Sequence, residues 1–487
     1  MSTGVAAIER ATGRRVLELL ERDGLLVAVM AIFAAAVALI AQSFVIQDTW
    51  FTLVGGREIV HHGLPGHDTL TYWTLGMRWV DQQWLAQAIL YGVYSVGGLK
   101  LLVLASATVV VFSLALAGLL ARRLGAGPRA ASVAVVGAAP LLYLVSSQAR
   151  AQVLAYPLFV LALGLLLMDV RAPSRRVLLT LPILVLWANM HGSVVLGAAL
   201  VALRGVQLVL RESTRLRGAL LLPGSVLAVF ATPYGPGMAG YYHDTIFNSG
   251  FKLIVEWRAP ALAVGTIPLY AFAGGAMWLL GRSHSRFTSF ERLALALLTF
   301  ASFWALRNVV WLMLGAIPLL APAVDEMLRG RRPAAPRTNL ILGLGASGLA
   351  LVAILGVALR PLDGPSAGYP DRAEALIART AAQNPSMRIY ANERYSDWLL
   401  FLHPELRGRI AYDIRFELLS KAQLMSIVRF RVQATEGWPS AADGARLLVL
   451  DPESESKVEK SLLRKQGVRR VYHDDRVSVL LREHGAI

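Results

Sequence analysis

Apolar runs recur along the chain from Leu25 to about Leu359. Each run has about 20 residues, enough for a helix to cross the ~30 Å hydrocarbon core of a bilayer. Only 16% of the 487 residues are charged, whereas soluble proteins carry about a quarter. We therefore predict a polytopic α-helical membrane protein with about eleven transmembrane helices. The predicted spans are residues 25–46, 98–121, 128–146, 152–169, 177–190, 192–210, 218–235, 262–281, 291–306, 309–328 and 338–359.

Arginine is concentrated in every second loop between these spans. The arginine-rich positions are Arg10, Arg14, Arg15, Arg22, Arg122, Arg123, Arg129, Arg171, Arg175, Arg176, Arg211, Arg215, Arg217, Arg282, Arg286, Arg292, Arg329, Arg331, Arg332 and Arg337. The positive-inside rule places these loops in the cytoplasm together with the N-terminus. Because the number of spans is odd, the C-terminal tail is predicted to lie outside. The net charge of +16 then reflects topology, and no nucleic-acid partner is predicted.

The tail changes character after Pro361. Short β-like runs at residues 388–391, 409–412, 447–450 and 468–472 alternate with helix-like segments at 398–403, 417–430 and 454–466. This alternation predicts a soluble extracytoplasmic α/β domain over residues 362–487, after a transmembrane domain over residues 1–361. The chain has no cysteine, which excludes disulfides and thiol catalysis.

Two predicted outer loops are longer than simple turns, residues 47–97 and 233–261. The first contains a helical apolar stripe from Trp84 to Val96, with Asp81, Gln82, Gln83 and Gln87 on an opposite polar face. This segment and several tryptophans are expected to lie at the membrane interface.

Acidic residues are few on the outer side. Asp48 directly follows the first span, where a carboxylate can act as a general base on a substrate hydroxyl. It can equally serve as the N-cap of the next helix. Asp68 also has two interpretations. It is either a functional carboxylate or a residue of a turn.

Cations and amides also occur at the outer ends of predicted spans. Such positions have two explanations, contact with lipid headgroups or a shared anion site, for which the planar fork of arginine suits phosphate. The residues are Arg150, Gln152, Asn189, His191, Arg307 and Asn308, with Lys252 and Arg258 in the second loop. No histidine constellation supports zinc, whereas carboxylate-bound Mg²⁺ or Mn²⁺ stays open.

The order of short motifs resembles bacterial members of the GT-C glycosyltransferase superfamily. The motifs are Asp48-Thr-Trp-Phe51, Gly56-Arg-Glu-Ile59, His62-Gly-Leu-Pro65, Asp68-Thr-Leu-Thr-Tyr72, Trp79, Gln83-Trp-Leu85, Arg150-Ala-Gln152, Trp187-Ala-Asn-Met-His-Gly192, Pro233-Tyr-Gly235, Glu256-Trp257, Arg307-Asn308 and Asp413-Ile-Arg415. The resemblance implies a multi-spanning enzyme of the bacterial inner (plasma) membrane. The resemblance also implies that the enzyme uses a polyprenyl-phosphate-linked sugar. It implies that the side chains of Asp48 and Asp68 are catalytic carboxylates.

The predicted reaction is inverting transfer of the sugar to a hydroxyl of a glycan, lipid or protein acceptor at the outer membrane face. Arg150, Arg307, His191, Lys252 and Arg258 are predicted to bind the donor phosphate. The predicted acceptor or substrate contacts are Gln152, Asn189, Tyr234, Glu256, Trp257 and Asn308. The alternative is a flippase, transporter or polymer ligase for lipid-linked glycans, for which polar groups near the membrane midplane and internal repeats would be expected.

Overall fold

The computed structural model describes residues 2–146, 148–247, 250, 254–329, 335–364, 367–432 and 441–483. Its first part is helical. The helices are α1 (Ser2–Leu39), α2 (Gln47–His62), α3 (Trp84–Arg123), α4 (Pro128–Ser146), α5 (Ala155–Arg171), α6 (Thr180–Ala188), α7 (Val194–Val209), α8 (Arg215–Phe230), α9 (Met238–Phe247), α10 (Ile267–Arg282), α11 (Ser289–Trp304), α12 (Val309–Met327) and α13 (Pro336–Ala358).

Every predicted apolar span overlaps one of these helices. Among the described residues, five helices are long and apolar enough to cross a membrane: Arg14–Leu39, Trp84–Arg123, Ala151–Arg171, Leu306–Met327 and Pro336–Ala358. A sixth candidate is the pair Glu212–Phe230 and Gly235–Ile246, which is bent by 87°. That the shorter helices also cross the membrane stays a prediction, and so does the total of eleven transmembrane helices.

The boundary between the first outer loop and the second predicted span lies inside α3. Two consecutive residues there leave the helical conformation, Gly97 (φ −145°, ψ 21°) and Gly98 (φ 63°, ψ −163°). A positive φ is readily adopted only by glycine. The glycine pair therefore redirects the chain at the point where the sequence predicts the span to begin.

The last part of the chain contains a four-stranded sheet. Its strands are β1 (Ile389–Ala391), β2 (Leu447–Leu450), β3 (Val468–His473) and β4 (Ser478–Arg482), in the order β1-β2-β4-β3. Strands β1 and β2 are parallel and the other two pairs are antiparallel. The accompanying helices are α14 (Asp371–Ala382), α15 (Glu393–Leu402), α16 (Lys421–Val432) and α17 (Pro452–Leu462). The predicted β-like runs coincide with β1, β2 and β3, while β4 and α14 were not predicted.

The first outer loop adds backbone pairing to this sheet. Ile410 forms isolated parallel bridges with both Ile389 and Thr71. The Tyr72 amide donates to the Ile410 carbonyl at 2.9 Å, and the Trp73 amide donates to the Ala411 carbonyl at 3.2 Å. The predicted strand at 409–412 is thus reduced to two bridges at one residue, Ile410, which joins the loop to β1. The edge of the sheet is covered by a segment from the other end of the chain.

Helix α2 is fastened to α15 by side chains. The Arg57 guanidinium donates to the carbonyls of Phe401 at 2.6 Å and Leu400 at 2.8 Å, which belong to the last turn of α15 and lack helical donors. The Trp50 ring lies 5.8 Å from the Phe401 ring and 5.2 Å from the Tyr369 ring. The helix that carries Asp48 is therefore held directly against the C-terminal part.

Candidate functional site

Asp48 lies inside the first turn of α2. The helix follows the N-cap residue Ile46, whose amide donates to the Thr49 hydroxyl at 3.1 Å. Thr49 therefore supplies the capping contact that the sequence assigned as one option to Asp48. The Asp48 side chain keeps 34% exposure at the positive end of the helix dipole. The exposed part of the Asp48 side chain can contact a substrate.

Arg150 is brought to Asp48 by the backbone. The Ala149 amide donates to the Phe44 carbonyl at 2.9 Å, which joins the chain before α5 to the end of the first span. Arg150 Nη1 then lies 3.8 Å from Asp48 Oδ1 and 3.2 Å from Glu256 Oε2. The Arg150 side chain is only 8% exposed. One buried guanidinium thus faces two carboxylates.

Arg307 completes the group from the start of α12. The Leu306 amide donates to the Arg258 carbonyl at 3.0 Å, and this bond holds the segment Val255–Trp257 next to Arg307. The Arg307 Cζ atom lies 4.3 Å from the centroid of the Trp257 ring, a cation–π contact. The adjacent residues Glu256 and Trp257 therefore contact the two arginines separately.

The charges of this group act on one another. Burial raises the pKa of Asp48 above its ordinary value, although the neighbouring Arg150 opposes this shift. Burial also acts to raise the pKa of Glu256, but Arg150 and Arg307 hold it below its ordinary value. Asp48 is thus the more basic of the two carboxylates.

His191 lies beside the two arginines. Its Nδ1 is 2.8 Å from the Ser193 hydroxyl and 3.2 Å from the Ser193 amide. Burial, followed by the charges of Arg307 and Arg150, lowers the pKa of His191 well below its ordinary value. The imidazole is therefore neutral at pH 7 and offers a hydrogen bond, not a charge, to an anion.

The other predicted contact residues differ in their surroundings. Gln152 is buried, and its Oε1 has no hydrogen-bond partner among the described residues. The Asn189 amide donates to the carbonyls of Val185 and Ala231 and accepts from Trp84 Nε1. The Asn308 amide donates to the Ala301 carbonyl.

Three further predicted residues complete the set. The Tyr234 hydroxyl donates to the Pro65 carbonyl, Arg258 is exposed, and Lys252 falls outside the described residues. Roles of Tyr234, Asn189, Asn308, Lys252 and Arg258 in binding stay predictions.

Asp68 is placed in a different group from Asp48. Asp68 is fully buried, and its Oδ1 lies 2.7 Å from Arg415 Nη2. Its other oxygen accepts hydrogen bonds from the hydroxyls of Thr71 at 3.1 Å and Thr74 at 2.5 Å. Burial acts to raise the pKa of Asp68, but Arg415 and these contacts hold it below its ordinary value. A carboxylate with so many partners is poorly suited to accept a proton.

Several residues near the group were not predicted to be functional. Glu417 of the C-terminal part interacts electrostatically with Arg307, and Asp397 interacts with Asp48. The predicted exposed polar face is wrong for Asp81 and Gln82, which are each 3% exposed. Gln82 is buried beside Ala188, whose carbonyl accepts from its Nε2, and beside Gly192. No local signal in the sequence reveals this, since the covering residues lie far along the chain.

A metal site is not apparent from the donor atoms. Among the described residues, no group of three or more His, Asp or Glu side chains is placed to hold a metal ion.

Comparison with protein-family models and with curated proteins found no match. Solved structures do match. ArnT from Cupriavidus metallidurans in the apo state aligns at 16% identity and a TM-score of 0.52, over 97% of this chain and 98% of that chain. The same protein bound to undecaprenyl phosphate gives the same identity and TM-score, over 94% and 98%. AglB from Archaeoglobus fulgidus, in complex with an inhibitory peptide and a dolichol-phosphate, aligns at 12% identity and a TM-score of 0.50, over 94% and 74%.

These likenesses define the class of fold. The chain is a membrane protein, and its fold is that of the GT-C glycosyltransferases. The resemblance seen in the order of the sequence motifs is confirmed at the level of the fold.

Proposed function

We propose that the chain is an inverting glycosyltransferase that moves a sugar from a polyprenyl-phosphate carrier to an acceptor hydroxyl at the outer face of the bacterial inner membrane. The observation that carries this proposal is the group formed by Asp48, Arg150, Glu256 and Arg307. It combines a basic carboxylate with two guanidiniums at one end of the helices. A protein of the same fold binds undecaprenyl phosphate, which supports this type of carrier.

The arginines bind the phosphate that leaves. Arg150 is paired with Glu256, and the donor phosphate takes the place of the Glu256 carboxylate. Negative charge grows on the phosphate as its bond to the sugar breaks, and the two guanidiniums stabilise that charge. His191 adds a neutral hydrogen bond beside them.

Asp48 accepts the proton of the acceptor hydroxyl. The hydroxyl oxygen forms a bond to the anomeric carbon from the face opposite the phosphate, and the carbon–oxygen bond to the phosphate breaks with its electron pair on the leaving oxygen. One base is sufficient, because polyprenyl phosphate is a stable anion and leaves without a general acid. The configuration at the anomeric carbon is inverted.

If Arg150 and Arg307 bind the donor phosphate, the loss of their planar guanidinium groups is expected to weaken binding of the carrier. Arg150→Lys and Arg307→Lys are each expected to weaken binding of undecaprenyl phosphate by about 1–3 kcal/mol, the range of a charge-assisted hydrogen bond. Lysine retains the charge but lacks the two parallel donors. Binding is measured on the purified full chain in nanodiscs.

Two controls accompany this measurement. Undecaprenol, which lacks phosphate, is expected to bind equally to all variants, and the exposed Arg123→Lys is expected to behave as the wild type. Free replacement of Arg150 and Arg307 by lysine would instead indicate contact with lipid headgroups.

A flippase, transporter or polymer ligase is the alternative proposal. A flippase binds the lipid phosphate but leaves the glycosidic bond intact. The wild type is therefore incubated with undecaprenyl phosphates that carry glucose, mannose, galactose or N-acetylglucosamine, together with an envelope extract as acceptor. Release of undecaprenyl phosphate is expected, and arginine-dependent binding without release would contradict the transferase proposal.

The proposed orientation is tested by single cysteines, since the chain has none. Ser386→Cys lies on the exposed surface of the C-terminal part, and Ser213→Cys lies in an arginine-rich loop. In intact cells a membrane-impermeant maleimide is expected to label the first and spare the second. The reverse pattern would contradict the predicted orientation of the chain in the membrane. Permeabilised cells serve as the control, in which both positions react.

A further inference from the structure

A turn of the C-terminal part is anchored beside the candidate site. Arg415 is buried and contacts both oxygens of Asp413, with its Nε at 3.0 and 2.9 Å and its Nη2 at 2.6 Å. Its Nη2 also contacts Asp68, and its Cζ lies 4.4 Å from the centroid of the Trp79 ring. This anchor fixes the following 3₁₀ turn, Phe416–Leu418.

This turn, which contains Glu417, packs against α9, the helix that carries Tyr241. The charge of Glu417 interacts with Arg307 and with Tyr241. In the described part of the chain, the Glu417 carboxylate has no ion pair or side-chain hydrogen bond with another residue. Burial raises the pKa of Glu417 to about 7. The carboxylate is half-buried and interacts with its own backbone amide, so its remaining lone pairs can accept hydrogen bonds from a ligand or water.

Two further acceptor oxygens lie in the same region. Asp81 Oδ1 accepts hydrogen bonds from the Gln83 amide and the Gln87 side chain, whereas its buried Oδ2 has no partner among the described residues. Gln82 Nε2 donates to the Ala188 carbonyl, and the buried Gln82 Oε1 is likewise without a partner in the described structure.

The surroundings of Gly192 relate these oxygens to Tyr241. A β-carbon added at Gly192 would lie 3.3 Å from Gln82 Oε1 and 3.7 Å from Tyr241 Cε1. The Tyr241 side chain in turn interacts with the charges of Asp81 and Glu417. Acceptor oxygens from the first outer loop and from the C-terminal part therefore converge on one aromatic ring, next to His191.

We propose that Glu417, Asp81 and Gln82, around the Tyr241 ring, form the subsite for the sugar of the donor. The inference rests on the proposed function. A sugar carries a ring of hydroxyl donors, which unpartnered carboxylate and amide oxygens accept. Because the sugar is bonded directly to the phosphate, its subsite must adjoin the phosphate site. Gln82 and Tyr241 lie against Gly192, the residue after His191, and the charge interaction of Glu417 with Arg307 agrees with this placement. Arg415 acts as a positioning residue for this subsite.

The test compares two carriers on the full chain. Undecaprenyl phosphate alone reports the phosphate site, and undecaprenyl phosphates bearing glucose, mannose, galactose or N-acetylglucosamine report the phosphate and sugar sites together. The wild type is expected to bind at least one sugar-bearing carrier more tightly than the bare one. Glu417→Ala and Asp81→Asn are each expected to reduce that preference roughly tenfold, the effect of one hydrogen bond to a charged group. Bare undecaprenyl phosphate is expected to bind to both variants at least as tightly as to the wild type, because no donor to the phosphate is removed.

Glu417→Gln keeps the shape and one acceptor oxygen, so it tests the contact if the alanine variant folds poorly. Glu453→Ala removes an exposed carboxylate of α17 and is expected to change neither affinity. A sugar preference that persists in Glu417→Ala, Glu417→Gln and Asp81→Asn would overturn the subsite and leave the proposed function standing. A wild type without any sugar preference would also overturn the subsite, and a wild type that binds neither carrier would overturn both proposals.

Discussion

Asp48→Asn is expected to lower the rate of glycosyl transfer by about 10²-fold or more, the usual scale for loss of a general base. Asparagine has the size of aspartate but cannot accept the proton of the acceptor hydroxyl. Because Thr49 supplies the capping contact of α2, the thermal stability and the binding of undecaprenyl phosphate should change little. The rate is followed as release of undecaprenyl phosphate from the sugar-bearing carriers.

The pH dependence gives a second readout of the same variant. Asp48 is active when ionised, and its pKa is raised by burial, so the wild-type rate is expected to fall as the pH decreases through this raised value. That acidic limb should be absent from the residual rate of Asp48→Asn. Asp475→Asn, an exposed aspartate of the C-terminal part, is the matched control. Full activity of Asp48→Asn would remove Asp48 from the mechanism.

Arg415→Met is expected to reduce the free energy of unfolding by about 3–5 kcal/mol, the range for removing one partner of a buried ion pair. Asp68 and Asp413 would both be left buried without their counter-ion. The first outer loop would also lose its ionic attachment to the C-terminal part. The measurement is thermal or denaturant unfolding of the full chain in detergent.

Asp68→Asn tests the same contact from the other side. Asp413 still neutralises Arg415 in this variant, so a smaller loss of about 1–3 kcal/mol is expected. The pKa of Asp68 is lowered in the folded state, so its contribution is present at neutral pH and is lost as the pH falls through that lowered value. The stability difference between wild type and Asp68→Asn should therefore shrink in acid. Loss of turnover with unchanged stability in Asp68→Asn would restore the prediction that Asp68 is catalytic.

The helices and the main polar groups were accessible from the sequence because both depend on local patterns. The apolar runs gave helix positions, and the placement of Asp48, Arg150 and Arg307 at span ends indicated that they could meet. The pairing of Glu256 with Arg150 joins segments 106 residues apart in the chain, which no periodicity encodes.

The contribution of the C-terminal part to the site was not predictable in the same way. Glu417 was not singled out in the sequence, and the motif Asp413-Ile-Arg415 just before it was identified only through the resemblance to GT-C enzymes. Their positions depend on ion pairs and backbone bonds between segments at opposite ends of the chain. The catalytic role that the resemblance implied for Asp68 stays a prediction, and its contacts with Arg415, Thr71 and Thr74 are those of an anchor.

The backbone pairing between the first outer loop and the C-terminal sheet imposes an order on biosynthesis. Thr69 and Arg407, which meet beside this pairing, are 338 residues apart. At about 5–20 residues per second, the ribosome needs on the order of 20–70 s to make the intervening chain. During that time the helices are inserted into the membrane. The loop segment from Leu70 to Trp73 cannot yet pair with Ile410 and Ala411, because these residues have not been synthesised. The proposed sugar subsite, which includes Glu417, is consequently completed only after the segments that carry Arg150 and Arg307 have been synthesised.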